Sequence, residues 1–415
     1  MKSLIKKFIP SFLLDWYHLS LPFLGAVLYR FPSKKLKVIG VTGTNGKSTV
    51  VCLTTKILEE AGFKTASLSS IKFKIGDREW QNTLKMTMPG RFRLQKFLRQ
   101  AVDAGCQYVV IEVTSEGIKQ HRHRFIKFDA AVITNLAPEH IEAHGSFEKY
   151  KKAKGRLFQA CKNIHIINAD DPNAEFFLQF PAKQKINFAI YRSRTAIINN
   201  RSRTAINLNL RLPGRFNLYN AAAAMAVGLS YGIDLAICRK AVESIESIPG
   251  RMEVVIKEPF RVIVDYAHTP DALRKVYETL RNSKSQNTNS KTICVLGSCG
   301  GGRDKWKRPE LGRIASQYCD AVILTNEDPY DEPPAKILDE IEKGVATQFY
   351  RSEKSYYKIL DRREAIGKAL RLAKTRDTVI ITGKGSEPWM CVERGKKIPW
   401  NDREIVRNEF SKLDL

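Results

Sequence analysis

Residues 37–49 read KVIGVTGTNGKST, and this stretch decides the fold class of the chain. Lys37 to Val41 form a short run rich in β-branched residues, and Val50 to Ala61 form a helical pattern that Gly62 ends. A strand, a glycine-rich turn and a helix in this order are the context of a phosphate-binding loop. We therefore predict an α/β domain with a parallel sheet that binds a nucleotide at this turn.

The residue types in the turn explain how it would bind ATP. Glycines let N–H groups close around phosphate oxygens, and the following helix adds the positive end of its dipole. Lys47 would neutralise the β- and γ-phosphates, and the Ser48 hydroxyl would bind Mg²⁺, although Val41 stands where the strict motif has its first glycine. The predicted nucleotide-binding residues are Thr42, Gly43, Thr44, Asn45, Gly46, Lys47, Ser48 and Thr49.

Two later strand patterns end near residues that suit a metal ion. Residues 107–111 lead into Glu112, and the strand pattern of residues 128–134 is followed by His140. The carboxyl ends of parallel strands form the edge at which α/β sheets bind ligands. We predict that Glu112 and His140 hold a second metal ion beside the γ-phosphate. An ordinary surface role for each side chain is the alternative.

The composition limits the classes of partner. The chain has 415 residues, of which 43% are hydrophobic, and this share excludes global disorder and collagen-like or coiled-coil folds. Its 69 Lys and Arg against 43 Asp and Glu give a formal charge of +26, which favours anionic partners. Eight cysteines without a C-x-x-C pair, and only seven histidines, indicate a reduced cytoplasmic protein without a structural zinc site.

Residues 1–35 form a basic and apolar segment that is distinct from the rest of the chain. Its charge-free stretch from Leu19 to Tyr29 is too short to span a bilayer, and no clean signal cleavage site follows it. Two interpretations stay open, namely packing on the body of the protein and an amphipathic anchor on anionic lipid. The lysines that would support the anchor are Lys2, Lys6, Lys7, Lys34 and Lys35.

Nine motifs follow one another between residues 40 and 387, which is nearly the whole chain. They read TGTNGKST, EVTSEG, TNLAPEHIEAHGSFEKYKKAK, NADDP, LPGRFNLYNAAAA, IPGRMEVV, VDYAHTPDAL, GSCGGGRDKWKRPELG and ITGKGSE. In this order they resemble the Mur ligase family of ATP-dependent amino-acid-adding enzymes of peptidoglycan synthesis. The resemblance is closest to the branch that adds a diamino acid to UDP-N-acetylmuramoyl-L-alanyl-D-glutamate.

The resemblance implies a role for individual residues of the ATP site. Lys47, Glu112 and His140 correspond to catalytic or metal-binding positions, with Ser48 as a further Mg²⁺ ligand. Lys154 corresponds to a lysine that carries a carbamate, an anion that could join a magnesium shell. A carbamate needs an unprotonated amine, and nearby cations such as those at positions 151 and 156 would lower the pKa of Lys154.

Further positions correspond to residues that surround the nucleotide. Asn217 and Asn220 match the element that contacts adenine, although simple N-capping of the following Ala-rich helix is an alternative for Asn217. Arg251, Asp265 and His268 match residues that approach the nucleotide from the last domain. The implied reaction passes through an acyl phosphate on the acceptor carboxylate, which the amine of the amino acid then attacks.

The amino-acid pocket departs from the pattern of the diaminopimelate-adding enzymes. Arg303 corresponds to the residue that binds the amino-acid carboxylate. Tyr330, however, stands where those enzymes have an arginine for the distal carboxylate, so lysine and ornithine are also candidate substrates. The other implied substrate contacts are Thr87, Thr114, Ser115, Glu327, Asp328, Gly383 and Glu387.

The expected organisation is a basic and apolar segment (1–35), an ATP-binding central domain (36–250) and a smaller Rossmann-like domain (251–415). Only 35 residues precede the central domain, whereas these ligases usually carry an N-terminal domain that holds UDP. Either the remaining domains hold the UDP, or the acceptor is a lipid-linked muramyl-peptide at the inner face of the membrane. We expect a monomer.

Three alternative functions stay open. A nucleic-acid-dependent P-loop ATPase would explain the charge of +26, but it leaves the later motifs unexplained, so we expect no nucleic-acid partner. A folylpolyglutamate- or cyanophycin-type ligase, or the amidating subunit of a muramyl-peptide complex, would use the same ATP site. Ammonia-dependent activity would identify the amidating subunit.

Overall fold

The computed structural model describes residues 11–84, 86–191, 194–199, 203–283, 290–349 and 355–413. These residues form two compact units. The first unit contains the chain up to Pro138, together with Phe147–Leu210 and Phe216–Ile245. The second unit contains Glu139–Ser146, Arg211–Arg215 and the chain from Glu246 onward.

The first unit is built on a sheet that has ten strands within the described residues. Its spatial order is β10-β9-β8-β7-β6-β1-β5-β2-β3-β4, and the six strands from β8 to β2 run parallel. Antiparallel strands close both edges of the sheet. The strands are β1 (Lys37–Thr42), β2 (Thr65–Leu68), β3 (Lys72–Ile75), β4 (Arg78–Gln81), β5 (Tyr108–Glu112), β6 (Phe128–Ile133), β7 (Ile164–Asn168), β8 (Gln184–Tyr191), β9 (Arg194–Asn199) and β10 (Arg203–Ile206).

Helices pack on this sheet because its central strands are apolar on both faces. Every residue of β5 and of β7 is buried, which is the pattern of strands covered from two sides. The helices along this part of the chain are α1 (Ser11–Leu28), α2 (Lys47–Glu60), α3 (Arg91–Asp103), α4 (Ser115–Lys119), α5 (Ile141–His144), α6 (Phe147–Ala160), α7 (Ala174–Leu178), α8 (Arg215–Ser230) and α9 (Leu235–Glu243). Of these, α5 belongs to the second unit.

The second unit has its own sheet, which has six strands among the residues described. The spatial order is β11-β12-β16-β13-β14-β15, and all neighbours except β11 and β12 are parallel. The strands of this unit are β11 (Glu253–Ile256), β12 (Arg261–Val264), β13 (Thr292–Leu296), β14 (Ala321–Leu324), β15 (Ser355–Lys358), β16 (Thr378–Ile381), β17 (Trp389–Cys391) and β18 (Lys397–Pro399). The remaining helices are α10 (Pro270–Ser283), α11 (Lys307–Tyr318), α12 (Pro334–Phe349), α13 (Arg362–Leu372) and α14 (Asp402–Phe410).

The prediction of an α/β protein with a parallel central sheet and a second parallel domain is confirmed. In the second unit, the sequence predicts strands at the apolar runs 292–296, 321–324 and 378–381, and these match the observed bounds of β13, β14 and β16. The helix after the glycine-rich turn begins at Lys47 rather than at Val50. Gly46 adopts a left-handed conformation directly before it, so the helix starts inside the turn.

The repeated sequence RTAI lies at one edge of the first sheet. The two alternating runs suggest a basic hairpin, although the sequence favours a simple local duplication in a surface excursion. In the structure the two copies pair as the antiparallel strands β9 and β10. Residues 192–193 and 200–202 of the repeat lie outside the described residues. The sequence also predicts a solvated loop at the Lys-, Ser- and Asn-rich stretch 282–291. Residues 284–289 of this stretch lie outside the described residues, and α10 continues to Ser283 before them.

The predicted N-terminal segment contains α1, which packs against α3. A Cβ atom added at Gly25 would lie 3.3 Å from atoms of both Phe92 and Gln95, so the two helices approach closely here. Among the described helices, none has the length and mean hydropathy that crossing a bilayer requires. Lys2, Lys6 and Lys7 lie outside the described residues.

A buried ion pair stabilises the second unit. The Arg362 guanidinium donates to both carboxylate oxygens of Asp402 at 2.9 and 2.7 Å, and both side chains are fully buried. Arg362 also donates to the carbonyl of Thr382 at 2.8 Å. Removing one partner of such a pair leaves an uncompensated charge in the core.

We expect Arg362→Met to lower the free energy of unfolding by about 3–5 kcal/mol in urea denaturation. The double variant Arg362→Met/Asp402→Leu should lose much less, because neither charge remains buried. Arg363→Met is the matched control, since the neighbouring Arg363 is half exposed and pairs with Glu409 at 3.4 Å. Equal losses for the Arg362 and Arg363 variants would contradict this role of the buried pair.

Candidate functional site

At two positions of the loop between β1 and α2, a residue other than glycine would be strained and would clash with a neighbour. Gly43 has a φ of 146° and Gly46 a φ of 83°. A Cβ atom would lie 1.9 Å from Thr134 Oγ1 at the first position and 2.2 Å from Asn220 Oδ1 at the second. The chain passes from this loop directly into α2. The N-terminus of a helix is the end at which anions bind, so the loop and the start of α2 suit a phosphate.

Residues that follow β6 hold the loop in place. Asn45 N–H donates to Asn135 Oδ1, and Asn135 Nδ2 donates back to the Asn45 carbonyl, each at 3.0 Å. Thr134 Oγ1 donates to the same carbonyl at 2.6 Å. Thr44 N–H also donates to the Asn135 carbonyl at 2.9 Å. These contacts fix the shape of the loop.

Lys47 is held over the loop, close to a buried carboxylate. Its Nζ donates to the Thr44 carbonyl at 2.7 Å. The same Nζ lies 4.0 Å from Glu112 Oε1. The ammonium group is therefore positioned by the backbone that would surround a phosphate.

A hydroxyl group and a carboxylate meet beside Lys47. Ser48 Oγ donates to Glu112 Oε2 at 2.8 Å, and Ser70 N–H donates to the same oxygen at 2.9 Å. The Ser48 and Ser70 hydroxyl oxygens are 2.7 Å apart. Glu112 is the last residue of β5, and its side chain is buried.

These oxygen atoms fit a magnesium ion. Mg²⁺ prefers hard oxygen ligands, and in nucleotide sites it uses one or two protein groups together with waters and substrate phosphates. Ser48 and Glu112 provide such a pair. In the described part of the chain there is no group of three or more His, Cys, Asp and Glu residues arranged for a metal ion.

Lys154 reaches the same loop from α6. It is 1% exposed, and its Nζ donates to the Gly43 carbonyl at 2.7 Å. The Nζ also lies 4.6 Å from the centre of the Tyr150 ring. Burial lowers the pKa of Lys154 well below its ordinary value, and the charge of Lys47 lowers it further, although Glu112 acts in the opposite direction.

The origin of this pKa shift differs from the sequence-based expectation, which attributed it to cations at positions 151 and 156. Burial is the largest cause, and the nearby cation is Lys47. Lys151 instead pairs with Glu148 at 2.7 Å. The sequence could not identify Lys47 as the neighbour, because 107 positions separate it from Lys154.

Asn217 and Asn220 lie inside α8 and not at its N-cap, because the helix begins at Arg215. Both are buried, and Asn220 Nδ2 donates to Asn217 Oδ1 at 2.9 Å. The Asn220 amide also packs against Gly46 of the loop. The structure thus brings the predicted adenine-contacting pair to the phosphate loop.

Three predicted substrate residues lie near the end of β5 or in the chain before α3. Thr114 caps α4, and its Oγ1 accepts a hydrogen bond from Gly117 N–H at 3.1 Å. Ser115 is buried at the start of that helix, whereas Thr87 is half-buried in a bend before α3. Their roles toward a substrate stay predictions.

His140 belongs to the second unit, in a short segment that is firmly held there. The first two N–H groups of α5 donate to the carboxylate of Asp304 at 3.2 and 2.9 Å. Glu139 and Lys307 form a buried ion pair at 3.0 Å. His140, which lies between these anchors, has a left-handed backbone with a φ of 56°. Because Glu112 lies in the first unit, a shared metal site remains a prediction.

The three residues predicted to approach the nucleotide from the last domain meet around Tyr266. The Arg251 guanidinium lies 4.5 Å from the centre of the Tyr266 ring. His268 Nδ1 lies 2.9 Å from the Tyr266 carbonyl oxygen. The Asp265 carboxylate accepts two backbone N–H groups at 2.7 and 2.6 Å, and burial raises its pKa.

The loop after β13 and the residues after β14 contain the predicted amino-acid contacts. Arg303 follows three glycines and is exposed. Cys299 Sγ donates to Glu327 Oε1 at 2.9 Å. The other oxygen of Glu327 is buried and has no hydrogen-bond partner among the described residues, and burial raises the pKa of this carboxyl group. Gly383 leaves room for that oxygen, because a Cβ there would lie 2.3 Å from it.

Sequence analysis missed Lys384, which joins two of the predicted substrate residues. Its Nζ donates to Asp328 Oδ1 at 2.8 Å and to Glu387 Oε2 at 2.5 Å. Burial opposes the charge of Lys384, but these two carboxylates raise its pKa above the ordinary value. The signal was present, since Lys384 stands between two glycines in the motif ITGKGSE.

Four residues of the phosphate site were also missed. Ser70, Thr134, Asn135 and Tyr150 contact the loop or its carboxylate, and Tyr150 OH lies 3.0 Å from Thr44 Oγ1. Thr134 and Asn135 could have been predicted from their position, because they directly follow β6 at the ligand-binding edge of the sheet.

Two family models match successive parts of the chain. Residues 41–228 match the family model described as the Mur ligase middle domain. Residues 250–385 match the model described as the Mur ligase, glutamate ligase domain.

Individual relatives match across both units. UDP-N-acetylmuramoyl-L-alanyl-D-glutamate–2,6-diaminopimelate ligase of Syntrophomonas wolfei is 37% identical over 93% of this chain and 81% of its own length. UDP-N-acetylmuramyl-tripeptide synthetase of a Roseiflexus species is 35% identical over 94% of this chain and 81% of its own length. A solved structure of a UDP-N-acetylmuramoyl-L-alanyl-D-glutamate–2,6-diaminopimelate ligase aligns with 91% of this chain and 78% of that chain, at 29% identity and a TM-score of 0.56.

Proposed function

The chain belongs to the Mur ligase family, and from that premise we propose that it is an ATP-dependent ligase of peptidoglycan precursor synthesis. It joins a diamino acid to the D-glutamate carboxylate of UDP-N-acetylmuramoyl-L-alanyl-D-glutamate and releases ADP and phosphate. The observation that carries the proposal is the phosphate loop, where Lys47 and the Ser48 hydroxyl lie against the buried carboxylate of Glu112.

The nucleotide binds with its phosphates at the N-terminus of α2. Lys47 faces the β- and γ-phosphates, and the loop backbone supplies N–H donors. Asn217 and Asn220 contact the adenine, which their burial beside Gly46 supports. A further group approaches the nucleotide from the second unit, namely Arg251, Asp265 and His268.

Ser48 and Glu112 would hold Mg²⁺, with His140 as a ligand of a second ion. When bound, the metal supplies positive charge that neutralises the phosphate oxygens. Glu112 is prepared for this role, because Ser70 N–H and Ser48 Oγ already fix the orientation of its carboxylate.

The reaction has two steps. The acceptor carboxylate attacks the γ-phosphorus in line, so a carboxylate oxygen–phosphorus bond forms and ADP leaves. The amine of the amino acid then attacks the acyl phosphate carbonyl, loses a proton and expels phosphate. Lys47 stabilises the charge that develops on the transferring phosphoryl group, and catalysis is mainly positioning and charge neutralisation.

Lys154 carries a carbamate in the active enzyme. Its neutral Nζ attacks CO₂, a nitrogen–carbon bond forms, and one proton is released to solvent. The lowered pKa of Lys154 supports this step, because only the unprotonated amine is a nucleophile. The resulting anion would lie beside Lys47 and near the Gly43 backbone.

Arg303 binds the carboxylate of the incoming amino acid. We expect Arg303→Met to raise the KM for the amino acid by roughly tenfold to a hundredfold, because a charge-assisted hydrogen bond is lost. Steady-state kinetics with each substrate varied in turn would show this, with the KM for ATP unchanged. Arg407→Met, at an exposed arginine of α14, is the control. Equal KM values for the two variants would contradict the assignment.

The remaining contacts to acceptor and amino acid come from the other predicted residues. Tyr330 follows Glu327 and Asp328, at the position where the distal carboxylate of diaminopimelate would need a cation as its partner. Diaminopimelate, lysine and ornithine are therefore all candidate amino acids. The residues that complete the substrate contacts are Thr87, Thr114, Ser115, Glu327, Asp328, Gly383 and Glu387.

The protein acts as a monomer in the cytoplasm and touches the inner face of the membrane through residues 1–35. A lipid-linked muramyl-peptide is the second candidate acceptor, and the apolar exposed side of α1 favours it. A good reaction with soluble UDP-muramyl-dipeptide and none with the lipid-linked form would exclude this candidate.

The experiment measures phosphate release from ATP and Mg²⁺ with UDP-muramyl-dipeptide and each diamino acid in turn. We expect release that requires both the dipeptide and one of the amino acids. Release with ammonia instead of an amino acid would identify an amidating enzyme. No release with any soluble acceptor, in a protein that still binds ATP, would contradict the proposed acceptor.

A further inference from the structure

The outer side of α1 is apolar where a surface helix is normally polar. Trp16 is 74% exposed and Leu28 is 62% exposed. We call the set of outward residues the apolar face of α1. It consists of Trp16, Leu19, Phe23, Leu24, Val27 and Leu28.

These residues form one continuous stripe. Trp16, Leu19, Phe23 and Val27 follow one another at spacings of three or four, which places them on one side of a helix. The other side of α1 packs against the protein, where Ala26 is fully buried. A contiguous exposed apolar surface of this kind marks a site of protein or membrane contact.

Three segments around this face contain no acidic residue. Residues 16–35, 80–102 and 117–128 have neither Asp nor Glu. They meet at the helix, since the rings of Phe23 and Phe125 are 5.3 Å apart and those of Tyr29 and Phe92 are also 5.3 Å apart. The charged residues of these stretches are therefore basic, and α1 itself contains one acidic residue, Asp15, directly before Trp16.

Exposed cations border the face. Lys127 N–H donates to Ser33 Oγ at 3.1 Å, so the loop before β6 contacts the chain five positions after the end of α1. None of these cations takes part in an ion pair within the portion of the chain that the structure describes. They are Arg30, Lys34, Lys35, Arg93, Arg124 and Lys127.

We propose that the apolar face of α1 inserts shallowly into the surface of an anionic phospholipid bilayer, with the bordering cations on lipid phosphates. An apolar face with aromatic residues and a basic border is the chemistry that the head-group region of such a bilayer binds. Because one side of α1 packs against the protein, the helix lies in the plane of the membrane surface. The proposal rests on the membrane contact proposed for residues 1–35 and specifies its surface and its lipid.

The test is co-sedimentation of the full chain with vesicles of phosphatidylglycerol and phosphatidylcholine, or of phosphatidylcholine alone. We expect binding to the anionic vesicles that weakens as salt is raised. The variant Leu24→Gln/Leu28→Gln should bind the vesicles at least roughly tenfold more weakly, because it lacks two leucine side chains that would be buried in the lipid. Removing one bordering cation, as in Lys34→Gln, should weaken binding about fivefold.

Leu360→Gln/Ile398→Gln is the matched control, since these two residues of the second unit are also apolar and about half exposed. It should bind vesicles like the unchanged protein. Equal losses in both double variants, or no binding to anionic vesicles, would overturn the proposal. So would a dimer in solution that dissociates in Leu24→Gln/Leu28→Gln, because the face would then bind a second copy.

Ligase activity with a soluble acceptor separates this proposal from the proposed function. Without vesicles, Leu24→Gln/Leu28→Gln should retain the activity of the unchanged protein, because α1 contributes no residue to the phosphate loop. An active ligase that fails to bind vesicles would overturn only the docking surface. A protein that binds vesicles but lacks ligase activity would overturn only the enzyme assignment.

Discussion

Lys47→Ala is expected to lower kcat for phosphate release about a thousandfold, the largest effect of any single substitution considered. The ammonium group would face the transferring phosphoryl group, and the loss of one such preorganised charge has an effect of about this size. Lys47→Arg should not restore the rate. Its branched guanidinium cannot take the place of a compact ammonium that donates to the Thr44 carbonyl at 2.7 Å.

Lys56→Ala is the matched control for this prediction. Lys56 lies on the same helix, is partly exposed and pairs with Glu60 at 3.4 Å. Its variant should keep the rate of the unchanged protein, and circular dichroism should show that both variants fold. A Lys47→Ala enzyme that turns over at a rate similar to that of Lys56→Ala would contradict the assignment of the phosphate loop.

Removal of CO₂ is expected to inactivate the enzyme reversibly, and Lys154→Ala is expected to lower kcat about a hundredfold or more. Bicarbonate should restore the unchanged enzyme but not the variant. The carbamate forms from the neutral amine. Because the pKa of Lys154 is lowered, a larger fraction of the amine is neutral near pH 7. Activity should therefore fall as the pH is lowered and the amine becomes protonated.

Carbon-13 NMR after exchange with labelled bicarbonate reports the carbamate directly. One carbamate signal should appear in the unchanged protein and be absent from Lys154→Ala. Lys151→Ala should keep the signal, because Lys151 pairs with Glu148 on the surface of α6. A signal that persists in Lys154→Ala, or full activity without CO₂, would exclude the carbamate.

The sequence was most informative where structure depends on neighbouring residues. The order of strand, glycine-rich turn and helix identified the phosphate loop, because Gly43 and Gly46 have backbones that other residues rarely adopt. The position of Glu112 at a strand end was also predictable, since parallel strands present their carboxyl ends at one edge.

Contacts between distant segments were not predictable from one sequence. The interaction of Ser70 with Glu112 depends on the turn after β2 lying beside the end of β5, and these segments are 42 positions apart. The bridge that Lys384 makes to Asp328 spans 56 positions. A basic and apolar segment was evident at the N-terminus, but only the packing of α1 shows which side is exposed.

In the proposed reaction, the acceptor carboxylate is activated by phosphoryl transfer from ATP. The most direct measurement uses UDP-muramyl-dipeptide with oxygen-18 in its D-glutamate carboxylate and mass spectrometry of the released phosphate. We expect one labelled oxygen in each phosphate, because the carboxylate oxygen that bridges carbon and phosphorus leaves with phosphorus when the amine attacks. Unlabelled phosphate with continued ATP hydrolysis, or release of AMP and pyrophosphate, would contradict it.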